Sequence, residues 1–284
     1  MKNIVIATDF SANARHAVEY GFKLAGQLKE NVILCNAFMA PAEIPEAGTS
    51  VWPQYEYEEL FKDSSDELKE LEDVLRDSAG RTGFHPLVAS VSEDGPVPEI
   101  INKVVANQNA HLVVMGTHGS GGPGSFLFGN HSRKMIDAAI CPLLLVPPLA
   151  APAPIKKVAF ATDFTEPEKD LGAIFQLIPL LKKLNAELLL THVYNEIEDT
   201  NEFKKNIENF LLELSNKADY PNIYYRIVKS ERPEKGLDWL CQFGHVDILA
   251  MVHRKHSFFD KILTGSHTQK IAGHISIPLL VIPG

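Results

Sequence analysis

The stretch of this chain best suited to hold an anion is Gly116-Thr117-His118-Gly119-Ser120-Gly121-Gly122-Pro123-Gly124-Ser125-Phe126-Leu127-Phe128-Gly129-Asn130-His131-Ser132. Six of these residues are glycine. Glycine lets backbone N–H groups approach an anion closely and permits positive φ. The stretch follows an apolar run, His111–Met115, read as a strand, and enters a helix expected over Asn130–Ala138. A helix N-terminus offers unpaired N–H groups and a partial positive charge, a pairing that suits phosphate. A second element lies far upstream, where Thr8 and Asp9 follow the strand-like run Asn3–Ala7 and place a carboxylate just past a strand end. The chemistry these types imply is binding. The glycine loop contains no lysine to offset charge on a transferred phosphoryl group, and the chain has no Gly-Lys-Ser/Thr run and no positioned general base. The expectation is a protein that is not an enzyme, with slow hydrolysis as the upper limit. A glycine-rich loop that holds no ligand is the alternative reading.

The elements that must position these residues occur twice. Ile4-Val5-Ile6-Ala7-Thr8-Asp9-Phe10-Ser11 returns as Val158-Ala159-Phe160-Ala161-Thr162-Asp163-Phe164-Thr165, 154 positions on. Gly129-Asn130-His131-Ser132 returns as Gly265-Ser266-His267-Thr268, 136 positions on, and Cys141-Pro142-Leu143-Leu144-Leu145-Val146-Pro147 returns as Ile277-Pro278-Leu279-Leu280-Val281-Ile282-Pro283. A repeat of this length marks two copies of one domain. The first copy is longer between its early and late motifs, and the Pro-, Ala- and Gly-rich segment from Met39 to about Tyr57 reads as the inserted loop. Between the copies, Pro147-Pro148-Leu149-Ala150-Ala151-Pro152-Ala153-Pro154 cannot sustain helix or inner strand. The domains are therefore expected at 1–148 and 155–284.

Within the first copy, strands are expected at Asn3–Ala7, Asn31–Ala37, Pro86–Val91, His111–Met115 and Pro142–Val146. Helices are expected at Asn13–Leu28, Tyr57–Ser78 (apolar stripe Leu60, Leu68, Leu71, Leu75), Val97–Asn107 and Asn130–Ala138. Strands apolar on both faces and separated by helices imply a parallel sheet covered on both sides. The fold class is α/β, with two tandem doubly wound domains, each a five-stranded parallel sheet with helices on both faces. Ligands of such sheets sit outside the carboxyl ends of the strands, where the strand order reverses.

The spacing Gly116-x2-Gly119-x9-Gly129, with Ala7-Thr8-Asp9 at the first strand end, resembles the nucleotide-binding signature of the universal stress protein family. Asn130 stands where that signature has Ser or Thr, and Ser132 supplies a hydroxyl two positions on. The resemblance covers both copies. It implies that ATP, with Mg²⁺ at its phosphates, binds the first copy. Gly116, Gly119 and Gly129, with Asn130, His131 and Ser132, would hold the phosphates, and His118 lies within the same loop. Asp9, preceded by Thr8, would contact the ribose or the Mg²⁺, and Ala37 and Met115 would border the adenine. It also implies that the joined copies form internally the pair that family members make through their last strands, with a further homodimer conceivable. The role implied is a stress-response binding or regulatory module. A weak ATPase or self-phosphorylating enzyme, and a scaffold without nucleotide, stand as alternatives.

The second copy departs from this pattern. Val252 and Lys255 align with Gly116 and Gly119, within Met251-Val252-His253-Arg254-Lys255-His256. A β-branched valine disfavours positive φ, so ordinary ATP binding is expected to be lost there, with the charged loop solvated. His245, His253, His256, His267 and His274 crowd this half beside Cys241, but no second ligand pair falls at a structural-zinc spacing, and no metal is expected. The 284 residues carry 27 Lys and Arg against 36 Asp and Glu, a net charge of −9. Such a chain is a poor general binder of nucleic acid or anionic lipid. Cys35, Cys141 and Cys241 are widely spaced and read as reduced thiols. Without an apolar run of membrane length or a signal-like N-terminus, a cytoplasmic protein is expected.

Overall fold

The computed structural model describes residues 1–40, 52–78, 83–117, 129–194, 201–254 and 276–284. The chain divides into two compact units, with the described residues up to Leu143 in the first and those from Leu144 in the second.

The first unit runs β1 (Asn3–Ala7), α1 (Ala12–Leu28), β2 (Asn31–Phe38), α2 (Trp52–Ser78), β3 (Val88–Asp94), α3 (Val97–Asn107), β4 (Ala110–Gly116) and α4 (Asn130–Ala138). Its strands lie in the order β3-β2-β1-β4, all parallel. The ladder continues beyond β4 where the Val113 N–H bonds the Pro142 carbonyl, just ahead of β5 (Leu143–Val146). Ile4, Val5 and Ile6 of β1 are wholly buried, so successive side chains on both faces of the sheet are covered. Helix α1 lies against β1 and β4 and buries Val18, Phe22, Leu24 and Leu28. Its Gly21 allows that approach, because a Cβ there would stand 2.7 Å from Ile6 Cδ1.

Two expectations change. Helix α2 begins at Trp52, inside the segment read as loop, because Pro53 at the second helical position lacks only an N–H that the first turn leaves unpaired. Leu68, Leu71 and Leu75 form its buried stripe, whereas Leu60 is exposed. Strand β3 sits later than expected, at Val88–Asp94, and carries Ser, Glu and Asp, which an edge strand tolerates because one side meets water. Residues 41–51 of the expected insertion lie outside the described residues.

The second unit runs β6 (Lys157–Ala161), α5 (Pro167–Leu184), β7 (Glu187–Tyr194), α6 (Asn201–Lys217), β8 (Ile223–Lys229), α7 (Pro233–Phe243), β9 (Ile248–His253) and β10 (Leu279–Pro283). Its strands lie in the order β10-β9-β6-β7-β8, again all parallel. No helix among the described residues is long and apolar enough to cross a membrane. The three cysteines are unbonded. Burial pushes the Cys35 and Cys241 thiols up to about 12 and the Cys141 thiol up to about 11.

Away from the strand mouths, Glu30 is completely buried, and its Oε2 lies 2.5 Å from Nε2 of the partly exposed His111 at the start of β4. The second unit has Ala186 and Asp247 at the corresponding positions, and there Asp247 accepts the backbone N–H groups of Lys156 and Lys157.

Candidate functional site

In the first unit β1 lies between β2 and β4, so the connection leaving β1 runs to β2 on one side and the connection from β3 crosses back to β4 on the other. This reversal opens a crevice at the carboxyl ends of β1 and β4. The register Val5↔Val113 and Ile6↔Val114 carries Ala7 toward Met115 and Thr8 toward Gly116. Thr8, Met115, Gly116 and Thr117 are buried at this mouth, and Asp9 is exposed on its rim.

The turn after β1 is held locally. Thr8 Oγ1 accepts the Phe10 N–H at 3.0 Å, and Asp9 Oδ1 accepts the Ser11 N–H and the Ser11 hydroxyl. Phe10 takes a left-handed φ of 62°, and Ser11 then caps α1 by accepting from the Ala14 N–H. Asp9 is thus engaged in an Asx turn, a structural duty that would exist without any ligand. The same turn recurs in the second unit, where Asp163 accepts from Thr165 and Phe164 has φ 56°.

On the other side of the mouth, the Gly129 N–H bonds the Thr117 carbonyl at 2.8 Å. The buried Ser132 hydroxyl reaches the Gly116 and Thr117 carbonyls at 3.1 and 3.0 Å. The first turn of α4 is therefore tied to the end of β4 from both its backbone and a side chain. Asn130 and His131 are exposed in that turn. His118 and Gly119 lie outside the described residues, as do Lys255, His256 and the Gly265–Thr268 counterpart of the helix entry.

Ala37 is half-buried near the end of β2, next to Phe38. The Phe38 ring stands 5.6 Å from Tyr57 and 6.4 Å from Phe61, which stack on each other from α2. Beneath them runs a polar chain that the sequence reading missed. Asn36 Nδ2 donates to the Thr8 carbonyl, and Asn36 Oδ1 accepts from Ser64, whose hydroxyl also lies 2.6 Å from Ser92 Oγ. An Asn inside the apolar run Val32-Ile33-Leu34-Cys35-Asn36 was its one visible sign. Arg15 was missed as well. Its Nε donates to the Phe10 carbonyl and its Nη2 pairs with Glu67 at 2.7 Å, linking the β1 turn to α2.

The matching mouth of the second unit is filled by side chains. Arg254, just past β9, pairs with Asp170 of α5 at 2.5 Å, and its Nε lies 3.6 Å from Glu166 Oε2. Arg254 is only 11% exposed and Asp170 4%. The Thr162 hydroxyl also bonds Asp170. Burial raises the Asp170 pKa, against the opposing pull of Thr162 and Arg254. The Glu166 pKa is lowered, chiefly by its hydrogen bond from Lys169. The expectation of a solvated charged loop is therefore corrected at Arg254, because Asp170 of α5 and Glu166 at its N-cap give its charge partners inside the mouth. Beside this pair, His192 takes the place of Asn36, and its Nδ1 lies 2.8 Å from the Thr162 carbonyl. Its ring packs with Phe164 and Phe203 at 5.4 and 5.1 Å. No cluster of three potential metal ligands occurs among the described residues.

The universal stress protein family model matches this chain twice, over residues 1–147 and 154–283. The chain belongs to the universal stress protein family. It is 34% identical over 95 residues to the "Universal stress protein in QAH/OAS sulfhydrylase 3′ region" of Thermus aquaticus, covering 33% of this chain and 69% of that protein. Among solved structures, a universal stress protein from Archaeoglobus fulgidus DSM 4304 superposes with a TM-score of 0.73 at 17% identity, covering 99% of this chain and 98% of its own. A functionally unknown protein from Pseudomonas aeruginosa PAO1 follows the same fold, with a TM-score of 0.57 at 12% identity and coverages of 100% and 92%. This is thus a tandem universal stress protein, with α/β architecture in both halves.

Proposed function

We propose that the first unit binds an adenine nucleotide, ATP with Mg²⁺ at its phosphates, and that this universal stress protein acts as a stress-response binding module rather than an efficient enzyme. The observation that carries this reading is the anchoring of α4. The Gly129 N–H and the Ser132 hydroxyl hold the N-terminal turn of α4 against the end of β4, so its unpaired backbone donors stand at the strand-order reversal. The acids that pair with a cation in the second mouth, Glu166 and Asp170, have no acidic counterpart in the first turn of α1, Ala12-Asn13-Ala14-Arg15. In this reading Ala37 and Met115 border the base, and Thr8 and Asp9 face the ribose or the metal. Gly116, His118, Gly119, Gly129, Asn130, His131 and Ser132 surround the phosphates.

The test begins with the purified full-length protein, denatured and chromatographed for released adenine nucleotides, followed by calorimetric titration with ATP·Mg²⁺. Saturable binding with a stoichiometry of one is expected, and Gly119→Val abolishes it, whereas Val252→Gly in the second unit leaves it unchanged. A flat titration of the nucleotide-free protein ends the proposal. ADP release followed in the same samples separates binding from turnover, and release within seconds at each molecule would make the protein an ATPase.

A further inference from the structure

Strand β8 is the outer strand of the second unit and bonds β7 alone. The Leu188 N–H to the Asn222 carbonyl and the Ser230 N–H to the Tyr194 carbonyl fix the phase of this parallel ladder. Tyr224, Arg226 and Val228 turn their backbone groups toward β7, and Tyr225, Ile227 and Lys229 turn theirs outward. Edge strands are usually blunted by charge, small residues or a cover. Strand β3 of the first unit follows that rule. Its exposed positions are Ala89, Ser90 and Asp94, its Glu93 pairs with Lys103, and Asp94 accepts the Ala40 N–H. Strand β8 does not follow it. Tyr224 and Ile227 are 51% and 50% exposed, and Trp239 of the adjoining α7 is 47% exposed.

Charge distinguishes this edge further. A cleft of about 470 Å³ beside the C-terminal half of β8 is lined by Arg226, Lys229 and Lys235 together with Ile227 and Trp239, and among the described residues no acid is in its walls. Three cations gather here in a chain whose net charge is −9. On the N-terminal half of β8, a second cleft of about 550 Å³ runs past Tyr224 and Tyr225 to Leu214 of α6. The Tyr225 hydroxyl, which is buried, has no hydrogen-bond partner among the described residues.

We propose that β8 accepts an extended acidic segment of a partner protein as an added strand. The partner's backbone would bond the outward groups of Tyr225, Ile227 and Lys229. Its carboxylates would meet Arg226 and Lys235 on the face of the strand toward α7, and its apolar side chains, alternating to the other face, would cover Ile227. A second copy of this chain fits less well. Antiparallel pairing of β8 with itself sets Arg226 against Arg226, and the acids of β3 are already engaged.

The test uses the full-length protein and a fluorescein-labelled, end-blocked nonapeptide alternating Glu and Val, with a Lys/Val peptide as the comparison. Anisotropy should show saturable binding of the Glu/Val peptide that weakens with salt, and binding of the Lys/Val peptide at least about tenfold weaker. The double variant Arg226→Glu/Lys235→Glu should reverse that preference. Ile227→Pro removes an outward N–H without breaking the β7 ladder, so it should fold by circular dichroism and weaken binding by about tenfold or more beyond Ile227→Ala. Should Ile227→Pro fail to fold, the charge-reversal variant decides alone. Equal binding of the two peptides, no binding of either up to about 1 mM (a free energy near −4 kcal/mol), or a folded Ile227→Pro that binds as well as Ile227→Ala overturns the proposal. So does a self-association in sedimentation that Arg226→Glu/Lys235→Glu dissolves, since a second copy then occupies the edge.

Discussion

The two strand mouths of this universal stress protein share one turn and differ in what faces it. Both have Thr-Asp-Phe after the first strand, with the Asp accepting two bonds and the Phe left-handed. In the first unit the ground beside this turn is polar, with Asn36 and Ser64 behind it and the partly exposed Arg15–Glu67 pair at its flank. In the second it is a buried ion pair and a cluster of rings around His192. The shared turn therefore belongs to helix entry, and any ligand specificity must come from the neighbours that differ. A carboxylate at a strand end, taken alone, is weak support for a binding role here.

The largest effect that can sharpen this contrast is loss of the cation in the second mouth. Arg254→Ala leaves Asp170 buried without its charged partner and should destabilise the second unit by about 3–5 kcal/mol, read by denaturant unfolding with hydrogen exchange in β6 and β9. Replacing both partners, Arg254→Met with Asp170→Leu, should recover most of that loss. If the single variant is neutral, the pair does not plug the mouth. In the first unit, Asn36→Ala takes the side-chain donor from the Thr8 carbonyl and leaves Ser64 with Ser92 alone, and should cost about 1–3 kcal/mol by the same measurement in β1 and β2. A smaller asymmetry separates the helix entries. Ser11→Ala removes a working N-cap and should cost about 1 kcal/mol. Thr165→Ala should cost less, because the cap residue of α5 is Glu166, which makes no capping bond, and Pro167 already presets the first turn.

The smallest effect in the series is one of pH. A folded-state pKa raised by burial means that the native protein binds the Asp170 proton more tightly than the unfolded chain does. Relative to Asp170→Asn, the wild type should therefore gain stability as pH falls from neutral through the raised value, levelling off below the ordinary 3.8. Thermal unfolding of both proteins between pH 7 and about 3.5 checks the sign. A difference that shrinks on acidification would mean that the Arg254 charge outweighs burial.

Much of the architecture was legible because apolar runs and helical stripes repeat with little ambiguity. β1, α3 and α4 have the expected bounds. Boundaries drifted where local chemistry is permissive, as at Trp52-Pro53, where a proline that suggests a loop also suits a first helical turn. Of the candidate site, the strand ends and the entry to α4 were readable from glycine spacing and repetition. Asn36, Arg15 and the Arg254–Asp170 pair were not, since each depends on a partner from another element: Ser64 from α2, Glu67 from α2, and Asp170 from α5. A one-dimensional reading sees three bases near Arg254 and has no means of bringing an acid 84 positions away to meet one of them.

The sulfur atoms bear on how such a protein endures oxidising conditions. Burial holds all three thiols above the ordinary cysteine range, so little thiolate forms at neutral pH, and the thiolate is the form that peroxide attacks. Alkylation by iodoacetamide should accordingly be slow at all three sites until the chain unfolds. In the folded state the three cysteines are expected to react slowly with oxidants, because burial disfavours the reactive anion.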